Sequence, residues 1–426
     1  MSEWFGALPK RWEAKRAFAL FEEIVDSNVS LMTTSALQFR FGEIIKKREL
    51  VKDVAYLDSI RRYTVVNKDD IIVNGLNLNY DFVTQRVAIV NETGCITPAY
   101  ISLRVRDNLN AMYYCYLLKA MDGQKVLNGL GTGIRLTLSF SEFKKTIFPL
   151  PPRDEQDQIV RYLDWKVSQI NKLINAKRRQ IALLEEQKRV VINSILTRNR
   201  KTWITCRLKD LCQLKTGSTP RNNEGINADG NGHNWITPCD FKTFQIIAVA
   251  QKSITDKIVK RDNIKLFPKN SILFIGIGTV GKFAIMQDEA YSNQQITAII
   301  PKNIDNKFLL YVLLDKSNYI KGTANYTTLP IVNNTQLGKI EIPFPSEDEQ
   351  NYVVSYLDEQ CERIDKIMDK FNDEIALFVE YRTRLISDVV TGRLDVRCVA
   401  VPEYEAVENI EEDVDANEEL EDRNER

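Results

Sequence analysis

The chain of 426 residues has a single histidine, His233, and seven scattered cysteines without a Cys-x-x-Cys pair. Zinc sites and Ser-His-Asp or Cys-His catalytic sets need histidine or paired cysteine, so neither kind of site is indicated. An odd number of scattered cysteines also argues against a disulfide framework. This cysteine usage is typical of a protein from a reducing compartment.

Long apolar runs and targeting signals are missing as well. No stretch approaches the roughly 18 apolar residues of a membrane helix, and no leader of charged, apolar and small residues opens the chain. We therefore expect a cytoplasmic protein without a membrane partner. The sequence also lacks the Asn-Pro-Pro-Tyr or Asp-Pro-Pro-Tyr stretch that would indicate an amino-methyltransferase.

What the sequence contains is an internal repeat. The segment PPRDEQDQIVRYLD, residues 151–164, returns as PSEDEQNYVVSYLD, residues 345–358, at a spacing of 194 residues. Apolar residues at helical spacing continue both copies. In the first copy they are Ile159, Leu163, Val167, Ile170, Ile174, Ile181, Leu184, Val191 and Ile195. Such a stripe predicts a long helix that needs a partner, and each copy is the natural partner of the other.

Two segments of mixed composition alternate with these helices, which divides the chain into five parts. We predict globular domains at residues 1–150 and 200–344, long helices at 151–199 and 345–397, and an acidic tail at 398–426. In the first domain, short apolar runs at 70–73, 87–90 and 100–105 predict strands, and a helix is expected at 111–121. Each domain ends in a capping signal, Ser139 to Glu142 or Asn333 to Gln336, followed by a strap bounded by prolines.

The net charge of zero hides an asymmetry. Residues 402–426 hold twelve Asp or Glu and two Arg, so residues 1–401 contain 56 Lys or Arg against 46 Asp or Glu. A positive body is favourable for a nucleic-acid partner. The acidic tail has few apolar residues and is predicted to be disordered.

A glycine-rich stretch in the second domain imitates a nucleotide-binding loop. Gly276, Gly281 and Lys282 have the spacing of a P-loop, but Phe283 replaces the hydroxyl residue that would bind magnesium. The residues that follow predict a strand, so we expect a β-hairpin here. The loop GINADGNGHNW surrounds His233.

Together, the junctions FPLPPRDEQDQI and IPFPSEDEQNYV, the loop TGSTPR, the stretches GTVGKFAI and SNQQ, and GCITPAYISLR resemble the specificity subunits of type I restriction-modification enzymes. The resemblance extends to about Arg397, and the spacing of the repeated Pro-x-x-x-Glu-Gln junction is its most specific part. The opening LPKRWEAKRAFALFEEIVDSN departs from the usual start of the first segment, and the acidic tail lies outside the resemblance.

The resemblance implies an α+β fold in which two α/β target recognition domains alternate with two long helices, packed as an antiparallel coiled coil with a pseudo-two-fold repeat. Such a subunit is not catalytic. Each domain would read one half of a bipartite gapped site in double-stranded DNA, and the helices would set the spacing and dock two methylation subunits. S-adenosylmethionine, ATP and magnesium would be bound by the methylation and restriction subunits, so no cofactor is expected on this chain of a host-defence system.

DNA contacts are expected from cationic, amide, hydroxyl and aromatic side chains in the loops, since these groups bind phosphates and base edges. In the second domain they are Lys215, Thr216, Ser218, Thr219, Arg221, Lys282, Asn293, Gln294 and Tyr326. In the first they are Arg61, Arg62, Asn77, Tyr80, Arg104 and Arg135, with Arg86 as a further guanidinium.

Two other classes of function remain open from the residues alone. Asp122, Glu142 and Lys144 could form the carboxylate and lysine set of a metal-dependent nuclease, and Lys282 could serve an ATPase. A coiled-coil scaffold that binds DNA without sequence preference is the third reading.

Overall fold

The computed structural model describes residues 4–40, 42–47, 54–78, 85–133, 136–198, 202–221, 226–227, 232–241, 250–326 and 329–407. The chain divides into two compact units. Unit 1 contains Met1–Lys177 and Asn372–Arg426, and unit 2 contains Arg178–Phe371. The two boundaries lie at equivalent positions of the 194-residue repeat. Each unit therefore holds one α/β domain and a part of each long helix.

Unit 1 begins with an α/β domain, and its elements lead into the first long helix. They are β1 (Glu13–Arg16), β2 (Phe21–Glu23), β3 (Leu37–Arg40), β4 (Glu43–Lys46), α1 (Val54–Ile60), β5 (Thr64–Val66), β6 (Ile71–Val73), β7 (Val87–Ile89), β8 (Gly94–Ile96), β9 (Ile101–Val105), α2 (Ala111–Gly123), α3 (Phe140–Phe143), β10 (Ile147–Leu150) and α4 (Arg153–Arg198).

The second domain follows the same plan with more strands. Its elements, with the second long helix, are β11 (Ile204–Arg207), α5 (Leu208–Leu211), β12 (Cys212–Thr216), β13 (Ile226–Asn227), β14 (His233–Ile236), β15 (Lys252–Ile254), α6 (Asp256–Asp262), β16 (Ile272–Ile275), β17 (Phe283–Ile285), β18 (Ala290–Ser292), β19 (Ile296–Pro301), α7 (Asn306–Asp315), α8 (Ser317–Gly322), β20 (Asn325–Tyr326), β21 (Pro330–Ile331), α9 (Asn334–Gly338), β22 (Glu341–Phe344) and α10 (Glu347–Val390).

Both domains are built on an antiparallel sheet of the same topology. The strand order is β2-β9-β6-β7 in unit 1 and β12-β19-β16-β17 in unit 2. Strand β6 reads Ile-Ile-Val because both of its faces are covered. Ile71 and Val73 pack in the core shared with α2, while Ile72 packs among the strands of the other layer.

Short straps connect each domain to its long helix. Strand β10 pairs with β1 in unit 1, and β22 pairs with β11 in unit 2. Proline at the end of each strap favours this extended conformation before a helix starts. The predicted sequence of short helix, strap and long helix is confirmed in both halves.

The long helices contain 46 residues in α4 and 44 in α10, and they pack together in antiparallel fashion. In unit 1 the Asn171 side chain accepts a hydrogen bond from Arg382 at 2.8 Å, and Lys177 pairs with Glu374 at 2.7 Å. In unit 2, Lys188 pairs with Asp365 at 2.7 Å. Residue numbers rise along one helix as they fall along the other, so the predicted antiparallel coiled coil is confirmed.

Several local predictions have clear outcomes. The strands at 70–73, 87–90 and 100–105 and the helix at 111–121 are present, and β16 and β17 form the predicted hairpin. Asn333 and Gln336 form a capping box. The box at Ser139 and Glu142 is wrong, because the Ser139 hydroxyl donates to the Glu142 carboxylate instead of accepting from the backbone. His233 starts strand β14 and does not lie in a loop.

Candidate nucleic-acid interface

Three loops meet at one end of the main sheet in unit 2. They are the loop after β12, which contains TGSTPR, the turn 276–282 between β16 and β17, and the turn 292–295 before β19. Antiparallel pairing places the end of β12 and the end of β16 beside the start of β19, so these three loops become neighbours. The strands thus bring together three motifs that are far apart in the sequence.

Backbone hydrogen bonds fix the three loops to one another. The Ser218 N–H donates to the carbonyl oxygen of Ser292 at 2.9 Å, and the Gly276 N–H donates to that of Gln295 at 2.8 Å. A side chain at Gly217 could not be accommodated, because a Cβ there would lie 2.3 Å from the carbonyl oxygens of Ser292 and Asn293. Glycine is therefore required at this close approach of two loops.

The predicted residues of the TGSTPR loop differ in their availability. Thr219 and Arg221 are exposed, and Lys215 and Ser218 are half-buried. The Thr216 hydroxyl accepts a hydrogen bond from Asn334 at 2.9 Å and lies 2.9 Å from the Thr297 hydroxyl, so it stabilises the base of the loop.

Arg221 anchors the end of this loop to α6. Its backbone N–H donates to the Asp262 carboxylate at 3.1 Å. The Arg261 side chain, followed by the Arg221 backbone, lowers the pKa of Asp262 to about 2. The anchor therefore stays ionised throughout the range in which proteins bind DNA, and the Arg221 guanidinium remains largely exposed.

Lys282 lies at the end of the turn between β16 and β17, where its side chain lines a cavity of about 570 Å³ with Arg189 and Lys321. Among the described residues, neither lysine has an ion-pair or hydrogen-bond partner. The Gly281 carbonyl accepts from the Ser317 hydroxyl at 2.6 Å, which ties the turn to α8. Glu186 and Asp315 line the same cavity, so its three cations exceed its two acids by one charge.

The turn before β19 carries the predicted amides. Asn293 accepts from the Gln295 N–H at 3.0 Å and donates to the Gln295 side chain at 2.9 Å. Gln294 lies between them and is exposed. The predicted Tyr326 belongs to β20, and its side chain lies outside the described residues.

Unit 1 repeats this arrangement with different residues. The Leu138 N–H donates to the Gly75 carbonyl at 2.9 Å, as the Val332 N–H does to the Gly276 carbonyl at 2.9 Å. Leu138 and Val332 are 194 residues apart. The loop after β6 and the turn before β9 are therefore the first-domain counterparts of the loops described above.

The structure does not gather the predicted first-domain residues in one place. Arg61 and Arg62 follow α1 and are exposed, and Arg61 donates to the Val29 carbonyl at 2.6 Å. Asn77 is exposed in the loop after β6. Arg104 lies within β9 and forms two hydrogen bonds with Asp70, at 2.9 and 2.8 Å. The predicted Tyr80 and Arg135 lie outside the described residues.

Arg86 is a correction to the sequence interpretation, because it is buried and not available to DNA. Its guanidinium donates to the carbonyl oxygens of Asn74, Leu76 and Asn77 at 3.3, 2.8 and 3.3 Å. Its backbone N–H donates to Asp122 at 2.7 Å. Arg86 therefore stabilises the loop after β6. This role becomes apparent only from the folded backbone.

The repeated Glu-Gln dipeptide has a structural role that the sequence alone did not reveal. In unit 1 the Gln156 side chain accepts from the Asn110 N–H at 2.8 Å and donates to the Pro151 carbonyl at 2.8 Å. Trp12 donates its indole N–H to Glu155 at 2.9 Å. These bonds join the start of α2 and the N-terminal segment to the long helix.

Unit 2 forms the same junction. Gln350 accepts from the Asp305 N–H at 2.9 Å and donates to the Pro345 carbonyl at 3.0 Å, and Trp203 donates to Glu349 at 3.1 Å. The repeat therefore encodes two equivalent docking sites, one for each α/β domain.

Among the described residues, no arrangement of side chains supports the nuclease or ATPase hypotheses. Asp122 is buried and Glu142 is exposed on α3, where it bonds with neighbouring serines. No group of three His, Cys, Asp or Glu residues suited to a metal ion is found in the part of the chain that the structure describes. The described helices also include none with the length and apolar composition required to cross a lipid bilayer.

Comparisons with known proteins agree on one family. The family model for the type I restriction modification DNA specificity domain matches residues 56–183 and 200–377. The MjaIX specificity subunit of a type I restriction enzyme from Methanocaldococcus jannaschii is 32% identical over 185 residues, which are 42% of each chain. The MjaVIII specificity subunit of the same organism is 20% identical over 424 residues, covering 92% of this chain and 94% of that subunit.

A solved structure shows the same fold. A chain from a study of complex assembly and conformational transition in the type I restriction-modification system aligns with a TM-score of 0.52 and 15% identity, over 91% of this chain and all of the other. The paired domains, the repeated junctions and the family match over most of the sequence lead to one conclusion. The chain belongs to the type I restriction-modification DNA specificity family and is a DNA-binding specificity subunit, the non-catalytic member of such an enzyme.

Proposed function

We propose that this subunit reads a bipartite, gapped site in double-stranded DNA, with one recognition domain on each half-site. The proposal rests on one observation: the domain, its loops at the sheet end and its junction to the long helices all occur twice. Two domains share one sheet order, one arrangement of loops at the sheet end and one junction to the long helices. Their loop sequences differ, so two different half-sites are expected.

The length of the helices fits this role. A helix of 46 residues is about 70 Å long at 1.5 Å per residue. Half-sites read from one side of B-DNA lie roughly 34 to 36 Å apart. The helix pair is therefore long enough to separate the two recognition domains by one turn of the duplex. Its length would set the spacing between the half-sites.

Two methylation subunits are the partners expected on the helices. Apolar side chains remain exposed along both, among them Leu173, Leu183, Tyr352, Leu377 and Tyr381, with 49, 70, 61, 63 and 54% of their surfaces exposed. We expect the methylation subunits to bind along these helices, where such apolar side chains would become buried. Restriction subunits would join the same complex.

The cofactors of this complex would belong to the partners. S-adenosylmethionine would be held by the methylation subunits, which modify adenine, and ATP and magnesium by the restriction subunits. The complex would act in the cytoplasm, where it meets incoming DNA.

Selection from a randomised duplex library tests the proposal. The chain, purified in complex with its methylation subunits, should enrich one motif of two short blocks separated by a fixed gap. Methylome sequencing of cells with and without the gene should give the same motif with a methylated adenine in each block. A continuous motif, no motif, or DNA cleavage or ATP hydrolysis by this chain alone would contradict the assignment.

A further inference from the structure

The turn before β19 is held unusually firmly for a surface loop. Its backbone receives hydrogen bonds from both neighbouring loops, at Ser292 from Ser218 and at Gln295 from Gly276. The Ser292 hydroxyl donates to the Ile236 carbonyl at 2.7 Å, and Asn293 bonds to both the backbone and the side chain of Gln295. Three other segments, at Ser218, Gly276 and Ile236, and the bonds within the turn therefore fix its position.

Gln294 is the residue that this rigid turn presents to solvent. It is exposed, whereas Asn293 and Gln295 on either side are half-buried and bonded to each other. Among the described residues its carboxamide makes no hydrogen bond. A polar side chain on a rigid support loses little freedom on binding, which is the condition for a specific contact.

We propose that Gln294 reads a base directly, and that its carboxamide forms a bidentate pair with an adenine in the major groove of the second half-site. The inference rests on the proposed function and adds a role that this function leaves open. A carboxamide matches the N6 donor and N7 acceptor of adenine, whereas it binds phosphate only weakly compared with a cation. The cations of the same end, Lys215 and Arg221, are suited to the flanking phosphates.

The internal repeat identifies the counterpart in the first domain. Strand pairing places Ile101 opposite Val73 and Ile296 opposite Ile275, so the turn 97–100 corresponds to the turn 292–295. Its exposed residues are Pro98 and Ala99, which carry no hydrogen-bonding side chain. The first domain therefore makes an apolar contact at the position where the second makes a polar one, and a thymine methyl group is the partner that such a contact favours.

The test compares three variants of the complete complex on the randomised library used for the wild type. Gln294→Ala should lose preference at one adenine of the second half-site by roughly 5- to 150-fold. The sequence preference at the first half-site should not change. The salt slope, which is the slope of log affinity against log salt concentration, should not change either. Gln287→Ala is the matched control, because Gln287 is also exposed but lies in the turn after β17, at the other end of the sheet. Ala99→Gln should change preference at one position of the first half-site only.

Three results would overturn the inference while the proposed function stood. The first is an equal loss of affinity for all sequences with a smaller salt slope, which would indicate a phosphate contact. The second is an unchanged base preference after Gln294→Ala. The third is a changed preference in the first half-site instead of the second. If the wild-type complex enriched no bipartite motif, the proposed function itself would fail.

Discussion

Individual residues at the junctions show how the repeat is used. Tyr116 donates to Asp164 at 2.8 Å in unit 1, and Tyr311 donates to Asp358 at 2.8 Å in unit 2, with the two acids 194 residues apart. Burial raises the pKa of Asp164, and the Tyr116 hydrogen bond opposes this only in part. The charged form of Asp164 is therefore less favourable in the folded protein than in the unfolded chain.

This shift predicts a pH dependence. An acid whose pKa is raised by folding contributes stability that is present below its unfolded pKa and lost as the pH rises through the folded pKa. Asp164→Asn keeps an acceptor for Tyr116 and removes the titration. In thermal unfolding from pH 4 upward, the wild type should lose stability relative to Asp164→Asn. A difference between the two proteins that stays constant with pH would contradict the shift.

Lys282 allows a prediction about phosphate binding. Its ammonium group has no anionic partner among the described residues, and it lies beside Arg189 and Lys321. Lys282→Ala should weaken binding to all sequences and reduce the salt slope by about one, without changing the motif. Lys257→Ala, an exposed lysine on α6, is the control. A changed motif with an unchanged slope would show that Lys282 reads bases.

The sequence alone predicted correctly that some of these side chains lie in loops, and it misjudged the position of others. Ser218, Thr219, Asn293 and Gln294 were predicted because glycine and amide-rich turns mark exposed loops, and the fold brings these residues together. Arg86 was misjudged, because a guanidinium that binds backbone carbonyls looks the same in a sequence as one that is free to bind DNA. Only the folded loop distinguishes them.

At the scale of elements, the Glu-Gln junctions hold the recognition domains on the long helices. Gln156 is fully buried and Gln350 nearly so, and each satisfies a backbone N–H at the start of a domain helix and a proline carbonyl of the strap. The bonds to the proline carbonyls are buried and those from the helix-start N–H groups are part-buried, so water replaces a lost partner only in part.

The junctions give a matched pair of variants. Gln156→Ala should destabilise unit 1 and Gln350→Ala unit 2, each by about 2 kcal/mol, since two hydrogen bonds are lost and buried groups remain unsatisfied. Hydrogen exchange should quicken in α2 for the first variant and in α7 for the second. The domain that keeps its glutamine serves as the internal control. Equal acceleration in both helices would contradict two independent docking sites.

Elements were predictable where one segment determines its own shape. The period of the apolar stripe predicted both long helices, and short β-branched runs predicted β6, β7 and β9. The parallel pairing of β14 with β18 was not foreseen, because strands whose paired residues are 56 positions apart meet only through the packing of the whole domain. The cap at Ser139 fails for a local reason, because its hydroxyl donates to the Glu142 carboxylate and accepts no bond from the helix backbone.

For the whole molecule, the position of the unit boundaries is informative. Lys177 and Phe371 are equivalent residues of the repeat, so each recognition domain rests on one part of α4 and one part of α10. Both helices continue without interruption past these residues. Lengthening both helices at these two points leaves each domain with its own docking site.

An insertion at both points tests whether the helices measure DNA. Seven added residues keep the heptad stripe and add roughly 10 Å at 1.5 Å per residue. The gap between half-sites should grow by about three base pairs at 3.4 Å each, with both half-sites unchanged. A fixed gap with altered half-sites would assign the measuring role to the domains. Insertion of seven residues in one helix only is the control, and it should impair folding.

The acidic tail provides a second prediction at this scale. Its first part lies along α4, where the Ser168 hydroxyl donates to the Glu405 carbonyl at 3.0 Å and Asn171 donates to that of Val407 at 3.1 Å. Residues 408–426 add ten Asp or Glu and two Arg and lie outside the described residues. Truncation after Val407 should raise non-specific DNA affinity several-fold at low salt, and the difference should vanish at high salt.

A full-length variant with these ten acids changed to Asn or Gln separates charge from length. It should behave like the truncated protein if the tail acts by electrostatic competition with DNA. Binding equal to that of the wild type in both variants would exclude a role for the tail in DNA affinity.

The two docking sites present the same hydrogen-bonding groups: a glutamate for an indole, a glutamine for a helix start and an aspartate for a tyrosine hydroxyl. A recognition domain that carries these three partner groups can form the hydrogen bonds of either docking site, whatever the sequence of its loops. If each domain reads one half-site and the helices bind the other subunits, as proposed above, exchange of one domain would change the target and leave the subunit-binding surfaces unchanged. Under that proposal, the repeat would make the two halves of the specificity interchangeable.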